Sequence, residues 1–343
     1  MRSAVVLLSV LALAPAAFAR TRTIGPRFYP WQTPTCSEIT GLDWFRYVDQ
    51  FEPVRVVGWN RRQNQDFSLV KVVASSVSNV MYAVSWDGTI HQSNDAGCSW
   101  RARVRVPEVL ANKLEVGIVA KSIAPVYVWS GSRLVRLTFG TVETFALPEN
   151  IIALDANPRN SHHLRAISRY GRAFESQDGG RTWSNVGNLG FTTVTDAKFS
   201  PANFDHVIVA AYPGTVISTD GGRSWTAYAS KLQVHAVAYS PADPNVVWVD
   251  AWNPNTRLGG IHRSEDGGRT FTLVRGAGRQ RYALGALAAH PTDSTRVALA
   301  AGITLEVIGA DGSHTEVFHD NVEEALWAPN GTLYYFAYVI VSL

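Results

Sequence analysis

Four aspartates recur in one sequence setting, and they are the first residues to test for chemistry. The shared pattern is S-x-D-x-G-x-[ST]-[WF], with its aspartate at Asp95, Asp178, Asp220 and Asp266 and its final aromatic at Trp100, Trp183, Trp225 and Phe271. A catalytic carboxylate or a calcium ligand is one interpretation, but a calcium loop needs more carboxylates than these segments supply. A short Asp side chain also accepts hydrogen bonds from N–H groups of its own turn, and Gly permits the turn's backbone angles. We therefore expect these eight residues to be structural.

Other chemistry-bearing patterns are sparse. The chain has no nucleophile elbow, phosphate loop or Cys/His cluster, and the one adjacent histidine pair, His162-His163, follows a Pro/Asn turn. We therefore expect no catalytic residue, metal or cofactor. The two cysteines, Cys36 and Cys98, predict a disulfide if the chain is exported, with two separate thiols as the alternative.

Aromatic residues recur at a second position, next to a Gly, Pro or Ser turn. Six of them are candidate ligand-binding residues: Trp86, Trp129, Tyr170, Tyr212, Trp252 and Tyr338. Aromatic faces bind sugar C–H surfaces and apolar side chains at small entropic cost, so a ring of them would suit a glycan or an extended peptide. The alternative is that they wedge between packed sheets. Arg257 lies in the longest of these turns and is a further candidate.

The elements that position these residues come from a repeat. The aspartates are separated by 83, 42 and 46 residues, and a degenerate copy near residue 137 fits the first interval. Pro-containing turns followed by apolar runs recur in register with them, as at Pro201 and Pro241. A period of about 40–50 residues with four strands per unit is typical of a β-propeller blade.

The four segments resemble the Asp-box, or BNR, repeat of sialidase-like β-propellers, over about residues 68–343. That superfamily includes sialidases, xyloglucan-cleaving enzymes, sortilin-type receptors and photosystem II assembly factors. The resemblance implies an all-β chain whose boxes lie at the rim, opposite the pocket face. A sialidase would carry an F-R-I-P-like motif, an arginine triad and a Tyr nucleophile with a Glu base. The most similar segment of this chain, Arg27-Phe28-Tyr29-Pro30, does not match the F-R-I-P-like motif.

The repeat predicts a single β-propeller of seven four-stranded blades, closed by N- and C-terminal strands. A partial unit near Val322 lacks a strand, and residues 43–59 contain strand-like runs that could complete it. We divide the chain into a signal peptide at 1–19, an N-terminal segment at 20–67 that contributes closing strands, and the propeller at 68–343.

The N-terminus reads as a secretory signal, with Arg2 before an apolar run and Ala17-Phe18-Ala19 as a cleavage site. We expect a protein exported to the periplasm or beyond, with no integral membrane segment once the signal is removed. The net charge of +3 and the 17% of charged residues give no support to nucleic-acid binding.

These observations predict an exported, monomeric, non-enzymatic propeller that binds a protein partner or a glycan through its central-pocket face. The assembly-factor branch of the resembled superfamily gives the nearest picture. The alternative is a glycoside hydrolase of sialidase type. An adhesive or envelope-structural protein is a third class.

Overall fold

A computed structural model describes residues 31–32, 45–48, 69–76, 79–85, 87–106, 116–190, 194–228, 231–276 and 286–337. Every regular element in these ranges is a β-strand, and they form six antiparallel sheets. The same ranges contain no helix with the length and apolar character needed to cross a membrane. The predicted signal peptide lies outside them.

Five sheets contain four strands each, in chain order. Sheet 1 consists of β2 (Leu69–Ala74), β3 (Met81–Ser85), β4 (Thr89–Ser93) and β5 (Arg101–Arg105). Sheet 2 consists of β6 (Gly117–Val119), β7 (Val126–Ser130), β8 (Arg133–Leu137) and β9 (Val142–Ala146). Sheet 3 consists of β10 (Ile151–Asn157), β11 (Asn160–Ser168), β12 (Arg172–Ser176) and β13 (Ser184–Asn188). Sheet 4 consists of β14 (Asp196–Phe199), β15 (Val207–Ala211), β16 (Gly214–Ser218) and β17 (Thr226–Tyr228). Sheet 5 consists of β18 (Gln233–Tyr239), β19 (Val247–Asn253), β20 (Leu258–Ser264) and β21 (Thr272–Gly276).

Sheet 6 has five strands and joins the two ends of the described chain. Its strands are β22 (Ala286–Ala289), β23 (Arg296–Gly309), β24 (His314–Trp327), β25 (Leu333–Ala337) and β1 (Phe45–Val48), in that spatial order. β1 pairs antiparallel with β25, so that Tyr47 lies opposite Tyr334. A strand that precedes the repeat therefore completes the last sheet.

The sheets follow one another around a ring. Neighbouring first strands contact each other from β2 through β6, β10, β14 and β18 to β22, and β24 returns to β2. Because each sheet packs between two others, second strands such as β3, β7 and β15 are buried along their whole length. Fourth strands such as β5 lie at the outside and are mostly exposed.

The number of sheets differs from the expected seven. The described residues form six sheets. The partial unit expected near Val322 shares sheet 6 with the unit that precedes it in the chain. Hydrogen bonding runs from β23 through β24 to β25 without a break between sheets. The all-β fold predicted from the sequence is confirmed.

Candidate functional site

The antiparallel order gives the ring two ends that carry different residues. The aspartate segments join third to fourth strands and lie at one end, which we call the turn end. The hairpins between second and third strands lie at the opposite end, which we call the hairpin end. The described hairpin residues are 87–88, 131–132, 169–171, 212–213 and 254–257.

The carboxylate of each aspartate segment is bound within its own turn. In sheet 4, Asp220 Oδ1 accepts hydrogen bonds from the backbone N–H of Arg223 at 3.0 Å and of Ser224 at 2.9 Å, and from Ser218 Oγ at 2.8 Å. Ser218 Oγ also accepts from Gly222 N at 2.8 Å, and Trp225 Nε1 donates to Gly222 O at 2.8 Å. Partial burial opposes ionisation, but these hydrogen bonds prevail and lower the pKa of Asp220 to about 2.

The other three segments repeat this geometry. Around Asp95, Asp178 and Asp266, the serine hydroxyl again donates to the aspartate carboxylate and accepts from the N–H of the second turn glycine. The indole N–H of Trp100 and of Trp183 donates to a glycine carbonyl of its turn, at 3.0 and 3.1 Å, and Phe271 packs against the core between sheets 4 and 5. These carboxylates hold their turns together.

The residue three positions after the aspartate reaches back to the preceding sheet. Arg181 pairs with Glu143 of sheet 2 at 2.9 Å, and Arg223 pairs with Glu175 of sheet 3 at 2.8 Å. Arg269 Nε donates to Tyr228 Oη of sheet 4 at 3.3 Å. The arginine recurs in three of the four sequence segments, but the sequence does not show that its partner lies in the preceding sheet. The turns therefore join sheets as well as strands.

Cys98 occupies the same position in sheet 1, where the other turns have arginine. It is disulfide-bonded. Its predicted partner, Cys36, lies outside the described residues, so the pairing stays a prediction.

The structure separates the six aromatic candidates. Trp129 is buried, with its indole lying so close to Gly117 that a β-carbon there would collide with it. It packs in the core between sheets 2 and 3, as the alternative of wedging between sheets describes. Trp252 is half-buried at the end of β19. Trp86 and Tyr338 lie outside the described residues.

Two candidates are exposed at the hairpin end. Tyr170 is 51% exposed and Tyr212 is 64% exposed, at the hairpins of sheets 3 and 4. On sheet 5, Leu258 is 46% exposed beside Arg257, which is itself exposed and has a left-handed backbone with φ 58°. Sheets 3, 4 and 5 are neighbours in the ring. Tyr170, Tyr212, Arg257 and Leu258 thus lie at the same end of three neighbouring sheets, and we call this set the hairpin arc.

Paired charges surround the ring axis, a feature that no sequence pattern indicated. Lys71 on β2 pairs with Glu324 on β24, Lys121 pairs with Asp155 at 2.8 Å, and Lys198 pairs with Asp196 at 2.9 Å. All but Lys121 lie on strands that face the axis, and Lys121 follows β6 directly.

The Lys198 side chain is 46% exposed although first strands surround it. Burial lowers its pKa, but Asp196, with Glu324 and Asp155 from other sheets, outweighs that effect and raises it. Each of these lysines therefore has an acidic partner, and the paired charges balance one another.

Asp250 is the other unusual carboxyl near the hairpin end. It lies on β19, two residues before Trp252, and is buried. Its Oδ2 has no hydrogen-bond partner among the described residues. Burial raises the pKa of Asp250 to about 7. The Asp250 carboxyl is thus mostly protonated, and uncharged, below about pH 7.

No protein-family model matches the chain. A bacterial protein resembles it in sequence. The chain is 29% identical over 265 residues to the dispase autolysis-inducing protein of Streptomyces mobaraensis. That alignment covers 71% of this chain and 69% of the Streptomyces protein.

Solved structures are similar in fold at low sequence identity. YCF48 bound to D1 peptide superposes with a TM-score of 0.56 and 14% identity, covering 80% of this chain and 94% of YCF48. The chain is a β-propeller. An ancestral GH74 enzyme superposes with a TM-score of 0.54 and 19% identity, covering 82% of this chain and 40% of the enzyme. A peptide-bound protein and an enzyme both share this fold. The similarity therefore establishes the architecture, and the activity has to be argued from the residues of the site.

Proposed function

We propose that this propeller is an exported, non-catalytic protein that binds a segment of a partner protein at the hairpin arc. The observation that carries the proposal is the exposure of Tyr170, Tyr212 and Leu258 on three neighbouring sheets at one end of the ring. Large apolar side chains gathered on one surface mark interaction sites. Tyrosine adds a hydroxyl that can hydrogen-bond to a peptide backbone while its ring packs on side chains.

The groups around the arc supply polar contacts for an extended segment. Arg257 gives the arc a cation, and Lys198 and Asp196 of β14 form a partly exposed ion pair. YCF48, which has the same fold, is known bound to a D1 peptide, and the Streptomyces relative is named for inducing autolysis of another protein. Both support a partner that is itself a protein.

The carboxylates near the axis give less support to the glycosidase alternative. Asp155, Asp196 and Glu324 each pair with a lysine, whereas a glycosidase needs two carboxyl groups that face its substrate. A sialidase would instead need clustered arginines and a tyrosine with a carboxylate partner. A glycan is the other ligand class that suits the aromatic arc.

We further propose that the four aspartate turns are Asp-boxes and that the ring has seven blades, of which four carry such a turn. In sheet 6, Ala310 N donates to Thr295 O at 2.8 Å, so the two ends of β23 lie side by side, as in a hairpin. β24 contacts both β22 and β2, the first strands on either side of it. This arrangement supports two units within sheet 6, the second completed by β25 and β1.

Site-directed crosslinking tests the binding proposal. A photoreactive phenylalanine analogue at Tyr212 should crosslink a discrete protein in the producing cell's exported fraction. The same analogue at Leu273, 56% exposed on the outer strand of sheet 5, is the matched control and should not. Purified dispase is the first defined partner to try. Crosslinking that is equal at both positions, or absent at both, would contradict the proposal.

Two further assays address the alternatives. Turnover of a fluorogenic sialoside by purified protein would establish the glycosidase. Binding to a glycan array that is lost on Tyr170→Ser and Tyr212→Ser substitution would establish a glycan ligand.

A further inference from the structure

A cleft opens between sheets 1 and 2 at the turn end, away from the hairpin arc. Its cavity volume is about 270 Å³. The lining residues come from both sheets: Tyr82, Gln92, Asn94, Arg103, Ile123, Ala124, Leu137, Thr138 and Phe139.

The cleft exists because sheet 2 has no aspartate turn. At three other interfaces a turn glycine lies against the preceding sheet: an added β-carbon on Gly179 would meet Arg136, one on Gly221 would meet Arg165, and one on Gly268 would meet Ile208. In sheet 2 the loop is the short segment 138–141, closed by Thr138 N donating to Thr141 O at 2.9 Å. A β-carbon on Gly140 would meet nothing within 4 Å. The gap that turns fill elsewhere is therefore left open.

Tyr82 and Gln92 of sheet 1 occupy positions that, in sheet 4, are covered by the aspartate turn of the next sheet. Ser93 aligns with Ser218 at the start of its turn, so Tyr82 and Gln92 align with Ile208 and Ile217. Both isoleucines lie within 4 Å of a β-carbon placed on Gly268. Their counterparts in sheet 1 line the cleft instead.

The lining combines one cation, amides and aromatic surface. Tyr82 forms the inner wall, its hydroxyl donating to Ile123 O at 2.5 Å. Gln92 Nε2 donates to Asn94 Oδ1 at 2.7 Å, so the two amides are already oriented by each other. Arg103 is exposed and forms no ion pair with another described residue. Phe139 is 80% exposed at the rim.

We propose that this cleft binds an acidic segment of a protein, with a carboxylate on Arg103 and an adjacent apolar side chain on Phe139. The exposed guanidinium selects a carboxylate, to which arginine can make two parallel hydrogen bonds. The Gln92 and Asn94 amides suit a peptide backbone, which offers both donors and acceptors. The cavity is near the lower limit of ligand pockets, so it takes one or two side chains of a chain that continues outside.

This site lies at the opposite end of the ring from the hairpin arc and would function whether or not the arc binds a partner. If one partner reached both, the second contact would be intramolecular and would raise the overall affinity. The two proposals are tested by separate variants and separate ligands.

Fluorescence anisotropy with two labelled peptides tests the inference. The acidic probe is Asp-Leu-Glu-Leu-Asp and the matched neutral probe is Asn-Leu-Gln-Leu-Asn. We expect the acidic probe to bind at least fivefold more tightly, and the binding to weaken as salt rises. Arg103→Gln and Phe139→Ser should each weaken it at least fivefold. Arg159→Gln removes an equal charge from the turn end of sheet 3, and Leu273→Ser removes an exposed apolar side chain; neither should change binding.

Each contrary outcome overturns the inference. Absence of binding, equal binding of the two probes, or equal losses in the Arg159 and Leu273 controls would show that the cleft does not recognise an acidic segment. Preferential binding of an acidic oligosaccharide that competes with the peptide would assign the cleft to a glycan instead. Circular dichroism of every variant verifies that the fold is intact.

Discussion

Replacing Asp250 with asparagine is expected to remove the loss of stability that the parent protein undergoes as pH rises from 4 to 7. Asp250 is buried, its Oδ2 has no described partner, and its pKa is raised from 3.8 to about 7. Below pH 4 the folded and unfolded chains both hold the proton. Between pH 4 and 7 the unfolded chain releases it and the folded chain keeps it, so the free energy of unfolding falls as pH rises. Above pH 7 the loss is complete.

The size of the effect follows from that pKa difference, which corresponds to roughly 4 kcal/mol. An asparagine side chain never ionises, so the Asp250→Asn variant escapes this loss. Its amide N–H₂ also needs partners, at a cost of about 1–3 kcal/mol, but that cost does not depend on pH. Comparing the variant with the parent at two pH values therefore isolates the ionisation.

Urea unfolding of both proteins at pH 4 and at pH 8 measures the effect. The variant's free energy of unfolding, relative to the parent, should be about 2–4 kcal/mol higher at pH 8 than at pH 4. The melting temperature should follow, by about 5 °C. Asp220→Asn is the control without a shift: its pKa is lowered to about 2, so the stability that its carboxylate contributes is lost only as pH falls from about 4 through 2, and its difference from the parent should be nearly the same at pH 4 and pH 8. An identical difference between Asp250→Asn and the parent at both pH values would refute the reasoning.

Three other perturbations test contacts within and between the sheets. Asp220→Ala leaves two turn N–H groups without their acceptor and should cost about 2–3 kcal/mol in urea unfolding, whereas a loss under about 0.5 kcal/mol would contradict its role. Arg165→Met should cost about 3 kcal/mol, because buried Arg165 joins Glu175 of its own sheet to Asp205 of the next; an unchanged unfolding midpoint would refute this. Reduction of the Cys98 disulfide should lower the melting temperature, and mass spectrometry of the unreduced peptides should find Cys36 as its partner.

The turns could be predicted from the sequence because their interactions are local. Every hydrogen bond that Asp220 accepts comes from within four residues of it, so the eight-residue pattern contains both partners. The glycines obey the same logic: Gly221 and Gly222 have φ of 75° and 92°, which few other residues adopt. A local pattern repeated four times was enough to predict the fold.

The candidate site was less predictable because it is built from contacts between sheets. Lys71 and Glu324 meet across 253 residues of sequence, and no local pattern relates them. Trp129 lies on β7 just before its hairpin and packs against Gly117 of its own sheet, whereas Tyr170 lies in the hairpin of sheet 3 and is exposed. Burial at a hairpin depends on the neighbouring backbone, which the repeat pattern does not specify.

The pairing of β1 with β25 has a consequence for the order in which the protein is made. The ribosome releases β1 first, and its partner is synthesised almost 290 residues later. Until then the partial ring presents an unpaired strand on each side of the gap, which is a template for pairing with another chain. Closure joins the most distant parts of the sequence, so it is expected to be the slowest step of folding. A chain that ends before Leu333 should therefore aggregate rather than form a slightly less stable propeller.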